Sequence, residues 1–336
     1  MATSQPSTWQ WFLTLFEPAM ILSWAMSCYI KVNARTILQG NILAPFLHAQ
    51  RLRDEAFGEF WIAFSSSREA ANKNASPTPP SPNPTPDTPQ TPFQQQSPSE
   101  EKTTHPKMPP SDLIPSILAH AHGTVLDVGP GTAAQMPLLA TPRIKAVYGA
   151  EPCGALHEVI RERMKREGMQ GRYFILNCGV GDGTGTGTGG FEGELERVGL
   201  MPPVSSQGSG KGKDKGKDSE YGTGIFDTII TIRVLCSVPS LPTTTSHLQR
   251  LLKPGGKLLV VEHVVNPWRT PKGSRLARLF QSLYHILGWR WVMGDCCLDR
   301  DTEGVLRGLQ WESVETDRFF EDGCMPHFAG VFVKKG

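Results

Sequence analysis

Apolar residues dominate the start of the chain. Trp9–Ile30 (WQWFLTLFEPAMILSWAMSCYI) is apolar apart from Gln10, Glu17, Pro18 and a few hydroxyls. As a helix, its 22 residues match a hydrocarbon layer about 30 Å thick. Glu17-Pro18 falls in its first half, where an acid is costly in lipid and a proline frees a carbonyl. The segment therefore fits either a membrane span or a kinked helix lying in the interface. Burial as a helix of the main domain is a third option. Trp9, Trp11 and Trp24 favour an interface. Lys31, Arg35, Arg51 and Arg53 follow the segment and no Lys or Arg precedes it, so insertion leaves the rest of the chain in the cytosol. The segment lacks the basic start and small-residue cleavage site of a signal peptide. Over 41–64, Phe57, Phe60, Trp61 and Phe64 recur at helical spacing and form one packing face.

After a stretch without apolar periodicity, the pattern changes at Ser111. Short apolar runs read as buried parallel strands at Thr124–Val128, Ile144–Gly149, Arg172–Leu176, Phe226–Ile232 and Lys257–Glu262. Helical stretches fall between them at Thr132–Ala140, Cys153–Glu167 and Ser246–Leu252. A helix over Ser274–Leu287 and two further strands, Trp311–Arg318 and Phe328–Lys334, complete the pattern. It predicts an α/β protein. The sheet is Rossmann-like, doubly wound and seven-stranded, with an antiparallel last strand pair, and an N-terminal hydrophobic helical segment precedes it.

Composition divides the chain further. Residues 76–110 hold 12 of its 28 prolines, and 179–224 hold 15 of its 34 glycines. The expected organisation is a membrane-anchor or helical segment over 1–70, a Pro-rich disordered linker over 71–110, and one domain over 111–336. That domain carries a disordered Gly/Lys-rich insertion, 182–224, with a short helix at Glu192–Leu200. A net charge of +2 argues against a nucleic-acid partner. Seven cysteines, odd in number and without a CxxC pair, argue against a disulfide framework and give no local spacing for zinc, so no metal is expected.

The candidate chemistry begins at Val125–Ala133 (VLDVGPGTA). A strand ends in Asp127, turns over Gly129 and Gly131, and is expected to enter a helix whose free N–H groups face an anionic group. An acid directly before the turn repels a pyrophosphate and welcomes an amino group. The second signal is Glu151, at the end of the next strand, where an acid can accept both hydroxyls of an adenosine ribose. The two together require an adenosine ligand that also carries an amine and a carboxylate, as S-adenosylmethionine (SAM) does. An NAD-dependent oxidoreductase is disfavoured by Asp127.

LDVGPGT, FDTIITIRVLCSV, LLKPGGKLLVVEHV and the final strand pair resemble class I SAM-dependent methyltransferases. VLCSV (234–238), EHV (262–264), GDCCLDRDT (294–302) and PHFAG (326–330) are similar to a membrane-associated methyltransferase-like family that includes microsomal alkyl-thiol methyltransferases. The resemblance implies roles for individual residues. Asp127, Gly129 and Gly131 line the methionine end of SAM, and Glu151 holds the ribose. Cys178 and Gly179 border the adenine, with Asp182 a weaker candidate. Arg233 and Val234 lie beneath the sulfonium. His263 sits where a base reaches the acceptor, and Asp295 with Cys296 and Cys297 lies in the loop capping the acceptor pocket. His327 reads as structural. The implied acceptor is a small, lipophilic molecule, with a thiol favoured over lipid, quinone or metabolite hydroxyls. The implied location is a membrane such as endoplasmic reticulum or lipid droplet, with the domain facing the cytosol. A membrane-tethered SAM-binding protein without catalysis is the alternative.

Overall fold

A computed structural model describes residues 8–74, 112–181, 190–200 and 224–336. Most of the linker, the Gly/Lys-rich parts of the insertion and Asp182 lie outside the described residues. Four helices come first: α1 (Thr8–Thr14), α2 (Glu17–Leu38), α3 (Ala44–Leu47) and α4 (Ala49–Asn74). The next are α5 (Leu113–Leu118), β1 (Gly123–Val128), α6 (Met136–Leu139), β2 (Ile144–Ala150), α7 (His157–Arg166) and β3 (Tyr173–Leu176). The chain continues through α8 (Gly190–Arg197), β4 (Phe226–Ile232), α9 (Leu241–Leu251) and β5 (Leu252–His263). It ends with α10 (Arg275–Ile286), α11 (Trp289–Val292), α12 (Thr302–Arg307), β6 (Trp311–Phe319) and β7 (His327–Lys334).

The seven strands form one sheet in the order β3-β2-β1-β4-β5-β7-β6. The first five are parallel, and β7 runs antiparallel to both β5 and β6. This is the expected architecture. The strand order reverses between β1 and β4, and ligands of such sheets sit at the carboxyl ends beside that point. Apolar clusters cover both faces. One contains Leu126, Phe226, Leu258 and Phe332; the other contains Val125, Val147, Ile230 and Leu259.

Two helices differ most from the sequence reading. The helix expected over Thr132–Ala140 shrinks to α6. Pro137 lacks the N–H that a longer helix would donate to Ala133, and Ala133 itself takes φ 52°, so the chain turns before it coils. The helix expected at Ser246–Leu252 starts earlier, because Pro242 occupies its first turn, where proline is well suited. The short helix expected at Glu192–Leu200 within the insertion is α8, two residues earlier at its start and three at its end: its Phe191 and Leu195 are buried in the core, and Glu194 accepts the Asn177 N–H (3.0 Å).

The N-terminal helices dock on the domain. Leu15, Leu22, Ala25 and Phe60 join Tyr284, Trp289, Met293, Cys236 and Cys296 in a third apolar cluster. Polar contacts fix this cap in place. Tyr284 Oη donates to the Leu15 carbonyl (2.6 Å), Arg53 reaches the Trp291 carbonyl (2.9 Å) and Asp295 (3.1 Å), and Arg163 pairs with Glu69 (2.5 Å).

Candidate active site

The site begins at the carboxyl end of β1. Asp127 pairs in register with Gly149 of β2, and Gly149 pairs with Ile175 of β3. Tyr173, on the same face of β3 as Ile175, lays its ring across Gly149 and donates to Asp127 Oδ2 (3.3 Å). A Cβ on Gly149 would stand 2.8 Å from Tyr173 Cε1, so the absence of a side chain there is what lets the hydroxyl through. Sequence reasoning missed Tyr173, because its role depends on a neighbour two strands away.

Gly129 and Gly131 take φ 58° and 60°, the left-handed region that glycine enters without strain. The Gly131 N–H donates to Glu151 Oε2, and the Cys153 N–H donates to Glu151 Oε1, each at 2.9 Å. The glycine turn and the end of β2 are thereby drawn together around one carboxylate. The free N–H groups foreseen at a long following helix are not supplied in that form: α6 has only four residues, and the Gly129 and Gly131 N–H groups of the turn donate to the Ala150 carbonyl and to Glu151.

Asp127 and Glu151 are both buried, at 6% and 5% exposure. Burial pushes Asp127 up to about 7, against a lowering by the Tyr173 hydroxyl. Burial also pushes Glu151 up to about 7, against its two backbone donors and with help from the nearby Asp127 charge. Among the described residues neither has an ion-pair partner. Two buried carboxylates without a cation form an acidic cradle that a ligand bearing an amino group and hydroxyls would complete. SAM fits that donor set: Asp127 would hold its amine, Glu151 its ribose hydroxyls, and the Gly129–Gly131 backbone would allow close approach.

The other expected residues are distributed unevenly. Cys178 is buried just after β3, and burial pushes its thiol up to about 12. At Gly179 a Cβ would meet open space. Arg233 takes φ 57°, directly after β4, and burial pulls its guanidinium down to about 10. A Cβ on Gly129 would overlap the Val234 methyl, which places the segment after β4 against the glycine turn. That segment is held from below. Glu262 Oε1 accepts the N–H groups of Val234 and Leu235, each at 3.0 Å, and burial pushes Glu262 up to about 7. Glu262 is a second residue that sequence reasoning missed, hidden inside an apolar strand pattern.

His263 and Asp295 do not converge. Asp295 lies on the outer loop, paired with Arg53 and, at 3.8 Å, with Arg290. His263 is buried, and its Nε2 lies 3.2 Å from Cys296 Sγ. Burial opposes its charged form, but the Cys236 thiol and the Glu262 carboxylate outweigh that and hold its pKa above the usual value. His327 pairs with it across the sheet and is anchored to the Met325 carbonyl (2.7 Å). The His263 Nδ1 and Glu262 Oε2 atoms are buried without a hydrogen-bond partner among the described residues.

The aromatic face of α4 closes the top. Phe57 stacks on Trp61 (5.7 Å) and Phe60 on Phe64 (5.5 Å). A Cβ on Gly131 would stand 2.5 Å from Trp61 Nε1, and one on Gly294 would stand 3.2 Å from Phe57. One helix therefore touches both the glycine turn and the loop leading to Cys296.

Residues 107–297, more than half of the chain, match the family described as Methyltransferase domain. The chain belongs to that family. Among curated proteins it is similar to thiol S-methyltransferase TMT1B of Homo sapiens, 33% identical over 99 residues that cover 30% of this chain and 38% of that protein. The Mus musculus protein of the same name is 35% identical over 115 residues, covering 32% and 44%. The matched stretches thus span less than half the length of these relatives. Among solved structures, an O-methyltransferase family protein from Burkholderia thailandensis superposes with a TM-score of 0.44 at 14% identity, covering 67% of this chain and 55% of that one. A geranyl diphosphate methyltransferase in complex with SAM gives 0.42 at 12% identity, covering 67% and 85%.

Proposed function

We propose that this methyltransferase-family chain transfers a methyl group from SAM to a small lipophilic thiol at a membrane surface. The observation that carries the cofactor half is the acidic cradle, with Asp127 and Glu151 buried on either side of the Gly129–Gly131 turn. When bound, SAM supplies a methyl group already activated on a sulfonium, so the protein's main contribution is placement. Asp127, oriented by Tyr173, and Glu151, oriented by two backbone donors, fix the ends of the ligand. Glu262 holds the Val234–Leu235 backbone against the glycine turn. The aromatic face of α4 excludes water from above.

The acceptor half is supported by the names of the matched relatives and by the apolar cluster that takes in Cys236 and Cys296, with His263 against Cys296. A thiol, with an ordinary pKa of about 8.5, needs little help to become a thiolate.

The membrane half is supported by what the cap leaves outside. Thr8–Leu38 is long and apolar enough to cross a bilayer, yet one face of α2 is packed on the domain. Met20, Ile30, Leu38, Phe46, Leu47, Leu279 and Ile286 remain exposed. They come from α2, α3 and α10, which suits a surface laid onto lipid rather than a single span.

Methyl transfer from radiolabelled SAM to a panel of alkyl and aryl thiols, phenols and quinones tests this reading. Transfer to thiols, lost in Asp127→Ala and Glu151→Ala, is the expected result. Tight SAM binding with no product across the panel would instead support a tethered SAM-binding protein.

A further inference from the structure

No run of the sequence has a local spacing suited to a metal, but the fold assembles one set of ligands from three distant segments. Cys236 follows β4, His263 ends β5, and Cys296 follows α11. All three are buried, at 2%, 3% and 7% exposure. Cys236 Sγ, a His263 ring nitrogen and Cys296 Sγ lie within 4.8 Å of one another, with His263 Nε2 3.2 Å from Cys296 Sγ. Tetrahedral zinc, with Zn–S near 2.3 Å and Zn–N near 2.0–2.1 Å, needs neighbouring donor atoms about 3.5–3.8 Å apart. The set requires adjustments of only a few tenths of an ångström to about 1 Å.

The ligands stand on a fixed frame. The Cys297 N–H donates to the Cys236 carbonyl (2.9 Å), which ties the Cys296 loop to the β4 segment. Arg300 Nη1 donates to the carbonyls of Leu235 (2.9 Å) and Val238 (2.5 Å), pinning the segment on both sides of Cys236. His263 is held in the β5–β7 ladder opposite His327. Two thiolates offset the charge of a divalent cation, and Arg233 and Glu262 nearby offset each other. No fourth protein ligand joins the set among the described residues. Two cysteines and one histidine with an open position are a catalytic rather than a structural zinc arrangement.

We propose that Cys236, His263 and Cys296 bind one zinc ion, and that its open position takes the sulfur of the acceptor thiol. In that step a metal–sulfur bond forms, the S–H proton passes to solvent, and no electron changes hands. A coordinated thiol is deprotonated outright, which is the form that methyl transfer requires. The acceptor half of the proposal rests on the thiol methyltransferase reading, and the metal half stands without it.

The test uses the full chain in detergent or vesicles, isolated under reducing conditions. Metal content is measured by mass spectrometry, and metal-stripped protein is titrated with Co2+. Expected are about one zinc per chain, thiolate-to-cobalt charge-transfer absorption, and visible bands of tetrahedral cobalt that shift when an alkanethiol is added. Cys236→Ser and Cys296→Ser should weaken Co2+ binding by more than the ~10–100-fold that follows loss of an outer-shell partner, while Cys297→Ser should leave it unchanged. Unaltered circular dichroism and SAM affinity in the serine variants show that they fold. Protein without zinc and without cobalt bands, or bands that survive in the Cys236→Ser, Cys296→Ser double variant, would overturn the metal site. Cobalt bands that ignore added thiol would overturn the acceptor position. Metal binding with no SAM binding in a parallel titration would sink the cofactor reading and leave the metal site standing.

Discussion

At the scale of single residues, the site is a set of buried acids whose charge is unmatched until a ligand arrives. Asp127 and Glu151, both held at about 7, have folded-state pKa values above their unfolded ones. Their contribution to stability is therefore complete below about pH 4 and is lost as pH rises through about 7. The ligand-free protein is expected to lose thermal stability between about pH 4 and 7 and to level off above that, by an amount on the order of a few kcal/mol, and Asp127→Asn to lose less. A melting temperature that stayed level over that range in both proteins would contradict this account. The same groups predict that SAM binding releases protons below about pH 7. Calorimetry in buffers of different ionisation enthalpy reads that release directly, and it should fall in Glu151→Gln. Tyr173 supplies a third test. Gly149→Ala forces its ring away from Asp127 and is expected to destabilise by about 1–3 kcal/mol, with a loss of SAM affinity. Asp127, Glu151 and the two glycines were legible because strand-end acids and a glycine turn are local patterns. Tyr173 and Glu262 were not, because each acts on a partner that only strand pairing brings near.

At the scale of elements, α4 has the widest reach. The spacing of Phe57, Phe60, Trp61 and Phe64 identified a packing face but not its partner. That partner is the third apolar cluster together with the glycine turn, an assembly spread over most of the chain. Phe60 is fully buried, so Phe60→Ala is expected to cost about 3–5 kcal/mol, measured by denaturant unfolding. Phe46 and Leu47, on α3, are exposed. Replacing both with glutamate should leave stability within about 0.5 kcal/mol and sharply reduce flotation with lipid vesicles. Equal flotation of the variant and the parent would remove the membrane role of this surface. The short α6 and the early α9 share one explanation. Proline reads as a break in a sequence, whereas in the fold Pro137 and Pro242 each occupy the first turn of a helix.

At the scale of the whole molecule, strand positions and sheet topology were readable because parallel strands leave continuous apolar runs. The boundary between anchor and domain was not. Composition separates Trp9–Ile30 from the rest of the chain, but packing joins it to Tyr284, Trp289 and Met293. A chain beginning at residue 112 would expose that cluster to water and is expected to aggregate on purification, as light scattering would show. The cysteine-histidine set was equally unreadable, since its members lie 27 and 33 residues apart, on three separate segments. The contact between Trp61 and the glycine turn also makes the molecule report on itself. An indole whose ring nitrogen lies over Gly131 senses the polarity of the cofactor mouth. Titration with SAM should therefore change the intrinsic emission of the protein, and Trp61→Phe should abolish most of that change although seven other tryptophans remain. Occupancy of the site could then be followed by fluorescence, on native protein and without any label.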